Sequence, residues 1–154
     1  MQKTDEYIAS RLVWKAEQYK LPTEYSLYFK NLTQKKKDYY YEYIMDQNIG
    51  IATLLFTQPN STKWTIIGTR KIVWGDNGKL ESLLFSNIKK IKPHSLDSKE
   101  EMEEAFNGAL PKMEWTELTL TKKSDEKANV YALKGSDFFA MWNIIRMVWQ
   151  LNSQ

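Results

Sequence analysis

The segment Phe138 to Leu151 constrains this chain most, because its only polar residues are Asn143, Arg146 and Gln150, spaced three and four apart. That spacing puts all of them on one narrow helical stripe and leaves the rest of the circumference apolar. The segment is shorter than the roughly 20 residues a helix needs to cross a bilayer. The rest of the chain must therefore cover it, so the sequence predicts a terminal helix that is core first and interaction surface second. Gly135-Ser136-Asp137 opens it, and Trp142 and Trp149 are both expected to be largely buried, Trp142 as a core anchor.

Ahead of this helix lie short β-favouring runs bounded by turn residues. Tyr39 to Met45 and Ile49 to Thr57 flank Asp46-Gln47-Asn48 and read as a hairpin. After the turn cluster Pro59-Asn60-Ser61 comes a long β-rich stretch from Trp64 to Trp74, ended by Asp76-Asn77-Gly78. Asn-Gly supplies the positive φ angles of a tight hairpin turn, so Leu80 to Phe85 is predicted to return antiparallel. Ile88 and Ile91 extend that strand or begin another. Trp115 to Thr121 and Val130 to Leu133 make a last hairpin across the polar loop Lys122 to Asn129.

Two further regions read as helical. In residues 1–32, Thr4 can cap a helix whose first turn holds Asp5 and Glu6 and whose apolar positions include Ile8, Leu12 and Ala16. Pro22 ends it, and Thr23 is placed to cap a second short helix carrying Tyr25, Leu27, Tyr28 and Phe29. Ser98 to Leu110 begins with an acidic turn, with Met102, Ala105 and Phe106 available for burial.

The chain has 154 residues, 42% of them hydrophobic and 27% charged, which predicts one domain, residues 1–154, with a core of its own. Twenty-two basic residues against 19 acidic ones give a net charge of +3, too little for a global field that attracts nucleic acid or anionic membrane. The absence of Cys excludes disulfides, thiolate metal sites and a cysteine nucleophile. The polar stretch Met1 to Ser10 has no apolar run of a secretory signal, so the expected location is cytoplasmic.

Short antiparallel strands followed by one apolar C-terminal helix are the element order of the pleckstrin-homology-like fold. Residues 39–151 resemble that fold, notably its bacterial PH and GRAM-like branch. Trp64-Thr65-Ile66-Ile67-Gly68-Thr69-Arg70-Lys71-Ile72-Val73-Trp74 is similar to the tryptophan-then-basic strand of those domains, and Phe85-Ser86-Asn87-Ile88 to the step that follows it. The resemblance implies an α+β protein: a half-open antiparallel barrel of two packed sheets with six or seven strands, a helical lead-in and a C-terminal capping helix. It does not imply one ligand, since the fold hosts lipid, peptide and protein partners. Where the family's phosphoinositide binders cluster basic residues in the first hairpin loop, this chain has Asp46-Gln47-Asn48-Ile49-Gly50.

No catalytic, cofactor or metal constellation is legible. His94 follows Pro93 with no Ser, Asp or second His at a catalytic spacing, and the scattered glycines form no phosphate loop. Glu100, Glu101, Glu103 and Glu104 read as a solvated helix start. The lysines at 35–37 and the cluster Lys89, Lys90 and Lys92 read as solvated or edge-strand charges, while Arg70 or Lys71 should face a core and find an ion-pair partner. The expected function is a non-catalytic interaction module whose partner is another protein. Lys89, Lys90 and Lys92 are its candidate basic contacts, and Glu100, Glu101, Glu103 and Glu104 its acidic ones. An immunity protein or other inhibitor neutralising a toxin is the alternative, with those glutamates covering a basic site. Anionic lipid or nucleic acid comes third.

Overall fold

The computed structural model describes residues 2–96 and 112–153. The predicted helix Ser98 to Leu110, with its four glutamates, lies outside them. Within them the chain is α+β, with three α-helices and two antiparallel sheets that do not close into a barrel.

The first helix, α1 (Asp5–Gln18), starts where expected, with Thr4 accepting the Tyr7 amide at 3.1 Å. It belongs to the core rather than leading into it, because Ile8, Leu12 and Ala16 share one cluster with Phe138, Met141 and Ile144 of the terminal helix. Thr23 caps no helix. Its hydroxyl accepts the Ser26 amide at 3.1 Å and turns the chain into the short strand β1 (Ser26–Tyr28), which pairs with a later strand through Leu27↔Leu55.

The Tyr39 to Met45 run is helical, so the first predicted hairpin does not exist. Helix α2 (Gln34–Ile44) is capped by Thr33, and Gln34 Nε2 donates to Asp38 Oδ1 one turn on at 2.8 Å. Tyr40, Tyr43 and Ile44 then fall on one side, where Tyr40 and Tyr43 stand 5.3 and 5.5 Å from the Trp64 ring. Tyrosine's preference for strands is largely a preference for half-buried packing, and a helix face against Trp64 satisfies it equally well.

The larger sheet runs β1-β2-β3-β4-β5, with β2 (Ala52–Thr57), β3 (Trp64–Gly68), β4 (Lys71–Asp76) and β5 (Lys79–Leu84). The stretch from Trp64 to Trp74 is thus two strands. It folds back at Thr69-Arg70 because those amides bond outside the hairpin, Thr69 to the Ile51 carbonyl at 3.1 Å and Arg70 to the Ile49 carbonyl at 3.0 Å. The β4–β5 hairpin is as predicted, with Asp76 opposite Lys79 and φ of 51° at Asn77 and 81° at Gly78. Strands β2 to β4 are buried along their central residues because both sheet faces are covered. Leu54, Phe56, Ile67 and Ile72 meet α1 and the terminal helix, whereas Leu55, Ile66 and Val73 meet α2.

The smaller sheet runs β6-β7-β8, with β6 (Ile88–Pro93), β7 (Glu117–Lys122) and β8 (Lys127–Tyr131). That makes eight strands among the described residues, not six or seven. The sheets meet where Thr65 Oγ1 donates to the Tyr131 carbonyl at 3.0 Å. Helix α3 (Ser136–Asn152) closes the order and buries Phe138, Met141, Ile144, Ile145 and Val148.

Arg70 has the ion pair expected of it, from a turn rather than from mid-strand. Its Nε donates to Asp5 Oδ1 at 2.8 Å and its Nη1 to Asn152 Oδ1 at 3.0 Å, while Asn152 returns a bond to the Thr69 carbonyl at 2.9 Å. One guanidinium therefore ties together the start of α1, the β3–β4 turn and the end of α3.

Candidate functional site

Lys89, Lys90 and Lys92 all lie on β6, which is an edge of its sheet among the described residues. The strand alternates imperfectly because its pairing with β7 shifts register between Ile88 and Lys90. Such an irregularity re-aims side chains locally. Lys89 and Lys92 are exposed, Ile91 leans inward, and Pro93 is buried at the end of the strand.

Beside β6 runs the least buried side of α3. Trp142, Arg146 and Trp149 recur at four and three residues, so they share a face. Arg146 is exposed, whereas Trp142 and Trp149 are partly buried and packed against the core rather than within it. That corrects the expectation of two largely buried core tryptophans. Trp142 rests on Phe138 and Phe139, with ring centroids 6.3 Å from each. Trp149 is held differently, its Nε1 donating to the Ile88 carbonyl at 3.1 Å.

Between strand and helix lies a groove of about 470 Å³, walled by the β6 lysines and Arg146 and floored by Ile91, Leu96, Trp142 and Trp149. None of its described lining residues is acidic. Lys89 is partly neutralised, since its Nζ lies 2.5 Å from Asp125 Oδ1 in the β7–β8 turn. That hydrogen bond and the ammonium charge hold the Asp125 carboxyl below its ordinary pKa. Lys90 is also engaged within the chain. The Trp142 Nε1 is buried and has no hydrogen-bond partner.

The other residues singled out from the sequence lie elsewhere. Lys35, Lys36 and Lys37 are on α2, which covers the opposite face of the larger sheet from α3. Lys37 joins Tyr41, Met45 and Ile51 around a separate cleft of about 600 Å³. His94 is exposed, in a 3-10 turn after β6, with Nδ1 3.2 Å from Thr119 Oγ1. Since that hydroxyl donates to Asn129 Oδ1 at 2.8 Å, its oxygen is left to accept from the imidazole N–H. The ring thus joins a polar row across the sheet, through Thr119 to Asn129. Glu100, Glu101, Glu103 and Glu104 lie outside the described residues, so the acidic half of the expected contact has no place in this geometry.

Sequence reasoning found the lysines of the groove but took the tryptophans as core. The available signal was the Trp142-Arg146-Trp149 spacing, which places a cation between two rings on one helical face. No protein-family model matches this chain, and no curated protein matches its sequence.

Proposed function

We propose that this protein is a non-catalytic interaction module of PH-like fold that binds another protein through the groove between β6 and α3. One observation carries the reading: two partly buried tryptophans and a row of cations line a single concavity of about 470 Å³. Tryptophan and arginine dominate the energetics of protein contacts, above all where a pocket excludes water around them. A groove of this size takes one or two side chains of a partner rather than a flat surface. The PH-like part of the proposal is supported by the element order, with two antiparallel sheets followed by an apolar helix that packs on both.

The test uses the whole chain as bait in a native cytosolic extract, beside a Lys92→Glu, Arg146→Glu double variant. Both positions are exposed, so the variant should fold, and near-ultraviolet circular dichroism checks that it does. The expected result is a partner retained by the wild type at stoichiometric levels and lost by the variant. Equal retention by both, or turnover of a substrate in hydrolase and transferase screens, would overturn the proposal.

A further inference from the structure

We infer that the occupant of the β6–α3 groove is an acidic peptide segment carrying an apolar side chain between its carboxylates, an inference that rests on the groove being the docking face. The groove offers donors and cations and no described anion. Lys92 and Arg146 are exposed and have no ion-pair partner among the described residues, in contrast to Lys89 and Lys90. Arg146 cannot shed its charge, because a guanidinium does not deprotonate in proteins. The Trp142 indole N–H is buried and out of a ligand's reach, and the Trp149 indole is committed to Ile88, so both rings present apolar surface to the groove. A ligand that matches the two cations must bring acceptors and negative charge.

The floor decides which acidic ligand fits. Ile91, Leu96 and the two indoles take an aliphatic or aromatic side chain, and their place between strand and helix is recessed. A double-helical phosphate backbone would satisfy the cations but leave the apolar floor uncovered, and a single strand, whose bases can stack on the indoles, is the rival that the oligonucleotide arm of the test reads. An anionic membrane surface cannot lower a flat headgroup layer into a groove. A peptide with carboxylates on both sides of an apolar residue meets walls and floor together. The Arg146 guanidinium can grip one carboxylate with two parallel bonds, which Lys92 cannot do.

The probe is a fluorescein-labelled peptide of alternating Glu and Leu around one central Phe, with a Lys-for-Glu counterpart, followed by fluorescence anisotropy on the whole chain. Vesicles rich in phosphatidylserine and a poly-dT oligonucleotide are run beside it. The acidic peptide should bind and the basic one should not. Arg146→Glu should weaken binding at least tenfold, and Trp142→Phe, which narrows the apolar floor, several-fold. Arg146→Gln, with no new charge, should fall between wild type and Arg146→Glu, and thermal melts of all variants verify folding. Equal binding of both peptides, no effect of Arg146→Glu, or tighter binding to vesicles or oligonucleotide than to the acidic peptide each overturns the inference. The two readings fail separately. A protein partner lost by the double variant without any binding of the acidic peptide sinks the inference and leaves the docking face. A bound peptide with the partner retained by the double variant sinks the docking face.

Discussion

Trp149 donates its indole N–H to the carbonyl of Ile88 at 3.1 Å, so one side chain both floors the groove and pins α3 to the first residue of β6. Trp149→Phe removes the donor together with one ring of the indole. The expected loss is about 1–3 kcal/mol, the net worth of one hydrogen bond plus the packing lost with the second ring. Urea melts measure it, and a change below the error of the fit would mean that the bond does not hold strand to helix.

Gly75 lies opposite Trp64 in the β3–β4 pairing, and a Cβ placed there would come within 2.5 Å of the indole. Trp64 is itself clamped by Tyr40 and Tyr43, so the ring has little room to yield. Gly75→Ala should cost about 1–3 kcal/mol by overpacking. A second substitution, Trp64→Leu, should make Gly75→Ala cheaper in that background, a coupling that a double-mutant cycle reads directly. Additive effects would show that the indole does not fill the space beside Gly75.

Asp137 is buried in the first turn of α3 and accepts hydroxyl bonds from Thr23 at 2.7 Å and from Ser26. It joins the turn before β1 to the start of α3, far apart in sequence. Asp137→Ala would leave both hydroxyls without their acceptor, with an expected cost of about 1–3 kcal/mol. Ser26→Ala removes one of the two bonds and should cost less. Denaturant midpoints that rank these variants the other way would show that Asp137 does not organise this corner.

Asp125 is held below the ordinary carboxylate pKa by the hydrogen bond and charge of Lys89. A lowered folded pKa stabilises above the unfolded pKa, and this contribution is lost as pH falls through the folded value. The Asp125 carboxyl, followed by carbon-detected NMR, should titrate at lower pH than a free aspartate and move back upward in Lys89→Ala. An unchanged midpoint in the variant would remove Lys89 as the cause.

Two tyrosines of α2, Tyr39 and Tyr40, have raised phenol pKa values. Burial holds the Tyr40 hydroxyl neutral to higher pH, with Tyr39 adding to the effect. Because α2 packs through Tyr40 and Tyr43, Tyr40→Asp should destabilise the protein by placing a charge against Trp64. Tyr41→Asp, at an exposed position one residue on whose ring meets only Phe29 edge-on, should cost less, about 0.5–1.5 kcal/mol. Thermal melts compare the two, and equal losses would contradict the helical phase of this segment.

What the amino-acid order alone determined is local. Thr4 caps α1 with its own hydroxyl, Asn77-Gly78 supplies the two positive φ angles of its turn, and the polar stripe of α3 is set by spacing along one helix. Each of these needs only residues within a turn or two of one another. Tertiary structure decided the rest. The tyrosine run became a helix because Trp64 offered a surface that favours the helical period. The stretch from Trp64 to Trp74 broke in two because Ile49, Ile51 and Asp5 hold the backbone and side chains of Thr69 and Arg70. The groove was legible only by halves, since Lys92 and Arg146 are distant in sequence and meet across a strand and a helix. A basic strand and an aromatic helix are each explained by packing or solvation when read alone. Only their juxtaposition sets unmatched cations around an apolar floor.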